Sequence, residues 1–302
     1  MKKLFIVLSS VLFLGVAQAT PPVEGDVLDG NNFVLGADIN LLQTTKRNSP
    51  NAPYLYAPSS INGQRIALPT YTQKDKAYSD QFNALLDIYA RYGILDYIEV
   101  FGNASGYYQI SDSRFTDKHT NAINFANANI GVMATLYKGD AFRFIIGDNS
   151  DIISNTIFAD SGSNIQLFKG HTFFINLIKR KEEEGKMSSF TAQFYYRLNP
   201  KQNHADTSLK LGNEYGANFL WQFAKGKQLG YIQGTVAMRD VDKINNIALD
   251  GGYGNSVGTG FAVGGKYDLS DHLGLKYDIH FMTYGLDYNA SNVGITFGMY
   301  FK

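Results

Sequence analysis

The most constraining feature is a run of strict alternation at the carboxyl end. From Val293 to Lys302, the odd positions Val293, Ile295, Phe297, Met299 and Phe301 are apolar. Gly294, Thr296, Gly298, Tyr300 and Lys302 between them are small, polar or amphipathic. Successive side chains of a β-strand point to opposite faces, so the run predicts a strand with one oily face. The preceding segment repeats the pattern, with Leu273, Leu275, Tyr277, Ile279 and Phe281 set against Gly274, Lys276, Asp278, His280 and Met282. Such a face must meet either a second sheet across a core or the hydrocarbon of a bilayer, in which case the polar face lines a lumen.

The amino end favours export. Lys2 and Lys3 precede an apolar stretch, Leu4 to Val16, and the small-residue site Ala17-Gln18-Ala19. This order predicts a cleavable signal peptide over 1–19 and a single domain over 20–302. No other stretch approaches 18 consecutive apolar residues, which excludes spanning helices. The chain has no cysteine, so a disulfide framework and a thiolate metal site are both excluded. With 27 basic and 27 acidic residues it lacks the basic field that nucleic acid requires, and that partner is set aside.

About twelve alternating segments follow one another along the chain. They fall near 33–41, 84–92, 96–108, 122–137, 141–148, 168–179, 189–198, 209–223, 229–239, 256–268, 273–282 and 293–302. In the eighth, Leu211, Tyr215, Phe219 and Trp221 share the outer face. The sixth is the least regular, because Phe173-Phe174-Ile175 is apolar on both faces. Short links (93–96, 138–140, 180–187, 224–228, 269–272) alternate with longer ones rich in turn formers, and 285–290 is the one short exception. Short turns at one end and long loops at the other are the rhythm of a closed barrel. All seven prolines lie outside the segments, as expected where every strand is paired on both sides. Tyr92, Tyr97, Tyr137, Phe142, Tyr267, Tyr277, Tyr300 and Phe301 lie near strand ends, where interfacial girdles form. The reading is all-β: a closed antiparallel transmembrane β-barrel of about twelve strands.

A terminal strand of alternating apolar residues ending in an aromatic resembles the assembly signal of Gram-negative outer-membrane β-barrels, although Lys302 follows Phe301 here. More narrowly, Arg91-Tyr92-Gly93-Ile94-Leu95-Asp96-Tyr97-Ile98-Glu99-Val100 resembles a strand-turn-strand signature of the transporter-like outer-membrane family named for the meta-pathway of phenol degradation. The resemblance implies a location in the cell outer membrane. The implied partners are outer-membrane lipid, the periplasmic chaperones and barrel-assembly machinery, and a small-molecule solute.

Ionisable residues on the polar parity are the candidate pore lining, because charge inside a membrane structure is costly unless paired or hydrated. They are Asp87, Arg91 and Glu99 around the first short turn, Lys266 and Asp268 near another, Lys276, Asp278 and His280 on the neighbouring strand, and Arg143, Arg197 and Glu214. They would form either a charged path for solute or a salt-bridged plug filling a small barrel. Lys179 to Lys186 reads as a soluble periplasmic turn. The loop 43–81, with Pro53 to Tyr56 and Ile66 to Leu68, has enough apolar character to fold inward as a lid over the pore; the alternative is a mobile surface loop.

Other chemistry is weakly signalled. Gly254-Asn255-Ser256-Val257-Gly258 matches a nucleophile-elbow pattern, but it opens a strand and no helix follows. The five histidines lack zinc spacing, and Asp148, Asp151 and Asp160 fit a calcium loop poorly. No catalytic residue, metal site or cofactor is assigned. The function expected is a porin-like channel for passive passage of small molecules. The alternatives are a structural or adhesive surface barrel without an open pore and, further off, an outer-membrane hydrolase.

Overall fold

The computed structural model describes residues 21–47, 54–56, 67–69, 78–112, 119–155, 165–167, 170–204, 207–248, 256–286 and 289–302. The expected signal peptide over 1–19, Asp160 and the Gly254-Asn255 pair of the elbow pattern lie outside them, as does most of the long first loop.

Twelve long strands form the wall. They are β1 (Phe33–Arg47), β2 (Tyr78–Leu95), β3 (Ile98–Asp112), β4 (His119–Lys138), β5 (Phe142–Asn155), β6 (His171–Glu183), β7 (Lys186–Leu198), β8 (Glu214–Lys225), β9 (Gln228–Arg239), β10 (Ser256–Asp268), β11 (Leu273–Leu286) and β12 (Asn289–Phe301). Each pairs antiparallel with its neighbours in sequence. The sheet closes where β1 runs beside β12, from Leu35 opposite Phe301 to Arg47 opposite Asn289. Closure satisfies every strand's backbone and leaves no edge.

Alternation decides which way each side chain points. Ile39, Leu86, Ile130, Phe173, Phe219, Ile279 and Phe297 are exposed on the outer wall, while Asp38, Asp87, Asn129, Thr172, Asn218, Asp278 and Thr296 on the other parity are buried within. This inverts a soluble protein and gives the apolar band that a transmembrane barrel turns to lipid. Tyr92, Tyr97, Tyr137, Phe142, Tyr267 and Phe301 are exposed on it near the hairpin end. Tyr300 is a correction to the expected girdle. It points into the lumen, 1% exposed, and donates to Asp268 at 2.6 Å.

Inside, large rings lie across glycines of the neighbouring strand. Tyr89 covers Gly36, Phe101 covers Gly131, Phe174 covers Gly147 and Tyr300 covers Gly274, each pair in direct register. A Cβ at any of these glycines would stand inside the ring, so the glycines give the aromatics room to lie flat along a narrow lumen. This also explains the irregular sixth segment. Phe173 and Ile175 face outward, and Phe174 fills the space over Gly147.

The boundaries moved in two informative places. The stretch 179–186 is not a soluble turn. β6 runs to Glu183, β7 begins at Lys186, and Glu184-Gly185 makes a two-residue hairpin with φ of 47° and 74°. Arg180 thereby becomes an inward-facing strand residue. The eighth segment begins at Glu214, and Leu211, expected outside, is buried at 2%. Before β8, Gln202–His204 and Thr207–Lys210 join Lys243–Ile244 and Ile247–Ala248 in a small separate sheet at the loop end. In the first long loop, Tyr54–Tyr56 pairs with Ala67–Pro69 as a short hairpin.

Candidate functional site

The lumen at the hairpin end is occupied by the chain's own residues 21–32. This stretch has no strand periodicity and carries three carboxylates: Asp29 is exposed at the rim near Lys138, and Glu24 and Asp26 lie inside. Four cations from the wall converge on them. Lys266 of β10 pairs with Glu24 and also donates to the Pro22 carbonyl at 2.8 Å. Arg143 of β5 pairs with Asp26, and Arg180 of β6 approaches the same oxygen at 3.3 Å. Arg91 of β2 donates to the Asp26 carbonyl at 2.7 Å and lies 3.9 Å from Glu24. Burial alone would raise the Glu24 pKa, but Lys266 and Arg91 outweigh it and hold that carboxyl at about 2.

Arg91 is itself fixed by Glu99 of β3 through two parallel bonds, Nε to Oε1 at 2.6 Å and Nη2 to Oε2 at 2.9 Å. Such fork-to-carboxylate pairing sets orientation as well as charge. Glu99 also accepts the Leu28 amide at 2.8 Å, tying the segment to the same pair. Neutral contacts complete the grip. Gln222 of β8 accepts from the Glu24 amide and donates to its carbonyl, each at 3.0 Å. Asn176 of β6 donates to the Gly25 carbonyl at 2.8 Å. From Asn176 a ladder of side-chain bonds climbs the wall through Gln193, Asn218 and Thr235, with spacings of 2.9, 2.8 and 2.8 Å. Beside Asp26, Val27 is buried in a cluster with Phe101, Met133, Ile145, Phe174 and Ile178.

Three further clusters hold the remaining candidates. Midway along the lumen, Lys276 pairs with Asp38 at 2.7 Å. There Asp278 accepts from Thr296 at 2.9 Å and Tyr231 at 3.1 Å, and lies 2.8 Å from His280 Nδ1. Asp87 accepts from Asn103 and Ser105, both at 2.6 Å. At the carboxyl terminus, Lys302 turns inward and donates to Asp268 at 2.6 Å, which accounts for a lysine after the last aromatic. Toward the loop end, Arg197 meets Asp151 at 2.5 Å, and Glu214 stands in register between Arg197 and Arg239.

All eleven expected residues therefore lie on the inner face, but they are not one ring. Arg91, Glu99, Arg143 and Lys266 surround the docked segment, and the others are distributed along the lumen. Glu24, Asp26 and Arg180 were not expected. The signal for them was an excess of inward cations near the short turns, with too few acids on the strands beside them. Asp148 and Asp151 do not share a loop, because both lie within β5, Asp148 in register with the outward Phe173 and Asp151 buried against Arg197. A depression of about 610 Å³ is also present, lined by Val132, Ile146, Phe173, Phe194 and other residues. Val132, Ile146, Phe173 and Phe194 are exposed on the outer wall, and the buried Phe174 and Tyr195 of the inner face also line it.

The geometry defines a class: a twelve-stranded barrel with an apolar exterior, a polar lumen and an internal segment latched by ion pairs. No protein-family model matches the sequence, and no curated protein matches it. Solved structures do. An outer membrane channel from Pseudomonas putida F1 superposes with a TM-score of 0.54 at 11% identity, over 93% of this chain and 99% of that one. The translocator domain of the autotransporter NalP from Neisseria meningitidis gives 0.46 at 7% identity, over 100% and 94%. The CymD monoaromatic hydrocarbon channel gives 0.45 at 8% identity, over 91% and 89%. The first supports the fold; the other two are weaker likenesses.

Proposed function

We propose that this chain is an outer-membrane channel for passive passage of small molecules, closed at its periplasmic mouth by its own residues 21–32. In this reading the short hairpins face the periplasm and the long loops face outward, as in bacterial barrels. The observation that carries it is the convergence of Arg91, Arg143, Arg180 and Lys266 on a segment that no strand pairing holds. A barrel needing only stability could fill this space with apolar side chains, since a buried ion pair is often no better than a hydrophobic replacement. A charged lining held by a separable segment suits a path that opens.

The solved Pseudomonas putida channel supports this at the level of fold. The likeness of residues 91–100 to the transporter-like family named for the meta-pathway of phenol degradation belongs to the same proposal. So do export by the signal peptide, passage through periplasmic chaperones and the barrel-assembly machinery, and a lining role for the eleven charged residues. A second reading, a surface barrel without an open pore, is favoured by the tight packing of Leu42, Leu85 and Met133, each 0% exposed on the lumen side.

Swelling of proteoliposomes in a neutral sugar separates the two. Removing residues 21–32 should raise the permeability well above that of the chain that keeps them. If neither form swells, the barrel is structural.

A further inference from the structure

The docked segment has the chemistry of a ligand. Asp26 presents a carboxylate to Arg143 and Arg180, and the adjacent Val27 places a branched apolar side chain in the pocket beside them. The fit is incomplete on the charged side. Asp26 reaches Arg180 only at 3.3 Å through Nη1, and Arg180 Nη2 is paired with Glu182 of the same strand. The other Asp26 oxygen is turned back to the Val27 amide at 3.0 Å. A carboxylate free of the backbone could instead engage a guanidinium with both oxygens, the stronger arrangement.

We propose that this lining is a binding site for a small amphiphilic monocarboxylate, a branched aliphatic acid anion, and that Asp26-Val27 occupies it in the ligand's place. Binding of the anion competes with the docked segment and releases it. This rests on the channel reading in one respect: release exposes a path only if the barrel conducts. The contest requires neither a covalent step nor a cofactor. It also gives the segment a reason for its composition. An acidic residue followed by an aliphatic one matches what lies across from it, paired cations beside apolar groups.

The test uses a chain of residues 20–302 in bilayer vesicles, with hydrogen–deuterium exchange read over residues 21–32. The amides of Glu24 and Leu28 are bonded to Gln222 and Glu99, so docking protects them. Three probes are added at equal concentration: 4-methylpentanoate, the uncharged 4-methylpentanamide, and chloride at matched ionic strength. Loss of protection with the carboxylate alone supports the site, and the double variant Arg143→Gln/Arg180→Gln should be insensitive to it. Equal loss with chloride would reduce the effect to screening and overturn the proposal. No loss with any probe overturns it as well. The comparison of three probes on the unaltered chain stands even if the double variant does not fold. Failure of the channel reading is seen separately: release by carboxylate without any solute flux leaves the site and removes the channel.

Discussion

Lys276 reaches Asp38 at 2.7 Å across a strand that places only a glycine between them. Both residues are in register with Gly298 of β12, and a Cβ there would collide with the Asp38 carboxylate. The pair therefore joins β11 to β1 over the closing strand. Removing one partner leaves the other charge buried and unpaired, which is costlier than losing both. Lys276→Met should destabilise the barrel by about 3 kcal/mol in a urea titration in lipid vesicles. Lys276→Met/Asp38→Asn should recover most of that. If the double variant is no more stable than the single one, the pair does not act as described.

The outer wall gives a second prediction. Phe297 is 57% exposed on β12 at mid-strand, on the face read as lipid-contacting. Phe297→Arg should cost about 2–4 kcal/mol in a bilayer, whereas Phe297→Leu should cost under about 1.5 kcal/mol. Equal tolerance of both would contradict the assignment of faces.

The ring-over-glycine contacts give a third. Gly274→Ala puts a methyl group into the space that the Tyr300 ring holds, and overpacking of this kind typically costs about 1–3 kcal/mol. Tyr300 cannot swing away without breaking its bond to Asp268. Combining Gly274→Ala with Tyr300→Leu should relieve the clash, and the two changes should be strongly non-additive. Simple additivity of the unfolding free energies would show that the ring and the glycine are not coupled.

Acid should release the docked segment. Glu24 in the docked state titrates at about 2, below its ordinary value of 4.5. A group whose pKa is lowered by docking contributes its stabilisation above the undocked value and loses it as pH falls. The contribution is thus complete above about 4.5 and declines progressively toward pH 2. Exchange protection of residues 21–32 should fall over that window, and Glu24→Gln should flatten the dependence. Protection that instead weakens on raising the pH from neutrality would have the wrong sign.

The wall was legible in the sequence because a strand's period of two is written in every segment where one face meets lipid and the other a polar lumen. Val293 to Phe301 shows it without a break. Parity also places the inward rings, and for Tyr300 it conflicts with the position near a strand end that suggests the girdle; parity prevails. The strand ends at the loop side were less readable, since beyond the apolar band both faces are polar and the pattern fades, as at Thr44 to Arg47 in β1. The docked segment left no local mark. Pro21-Pro22-Val23-Glu24-Gly25-Asp26 has the look of a linker, and what fixes it lies far away in sequence, at Arg91, Arg143, Arg180 and Lys266. Arg180 was hidden further, because its charged neighbours in 179–186 made the strand look like a turn.

The central claim is that a conducting barrel is closed by its own amino-terminal segment, and single-channel recording in planar bilayers tests it most directly. A chain of residues 20–302 should show small or rare conductance steps at neutral pH. The same chain lacking residues 21–32 should show stable steps of larger and uniform size. Silence from both forms, with the shortened barrel verified as folded, would contradict the account.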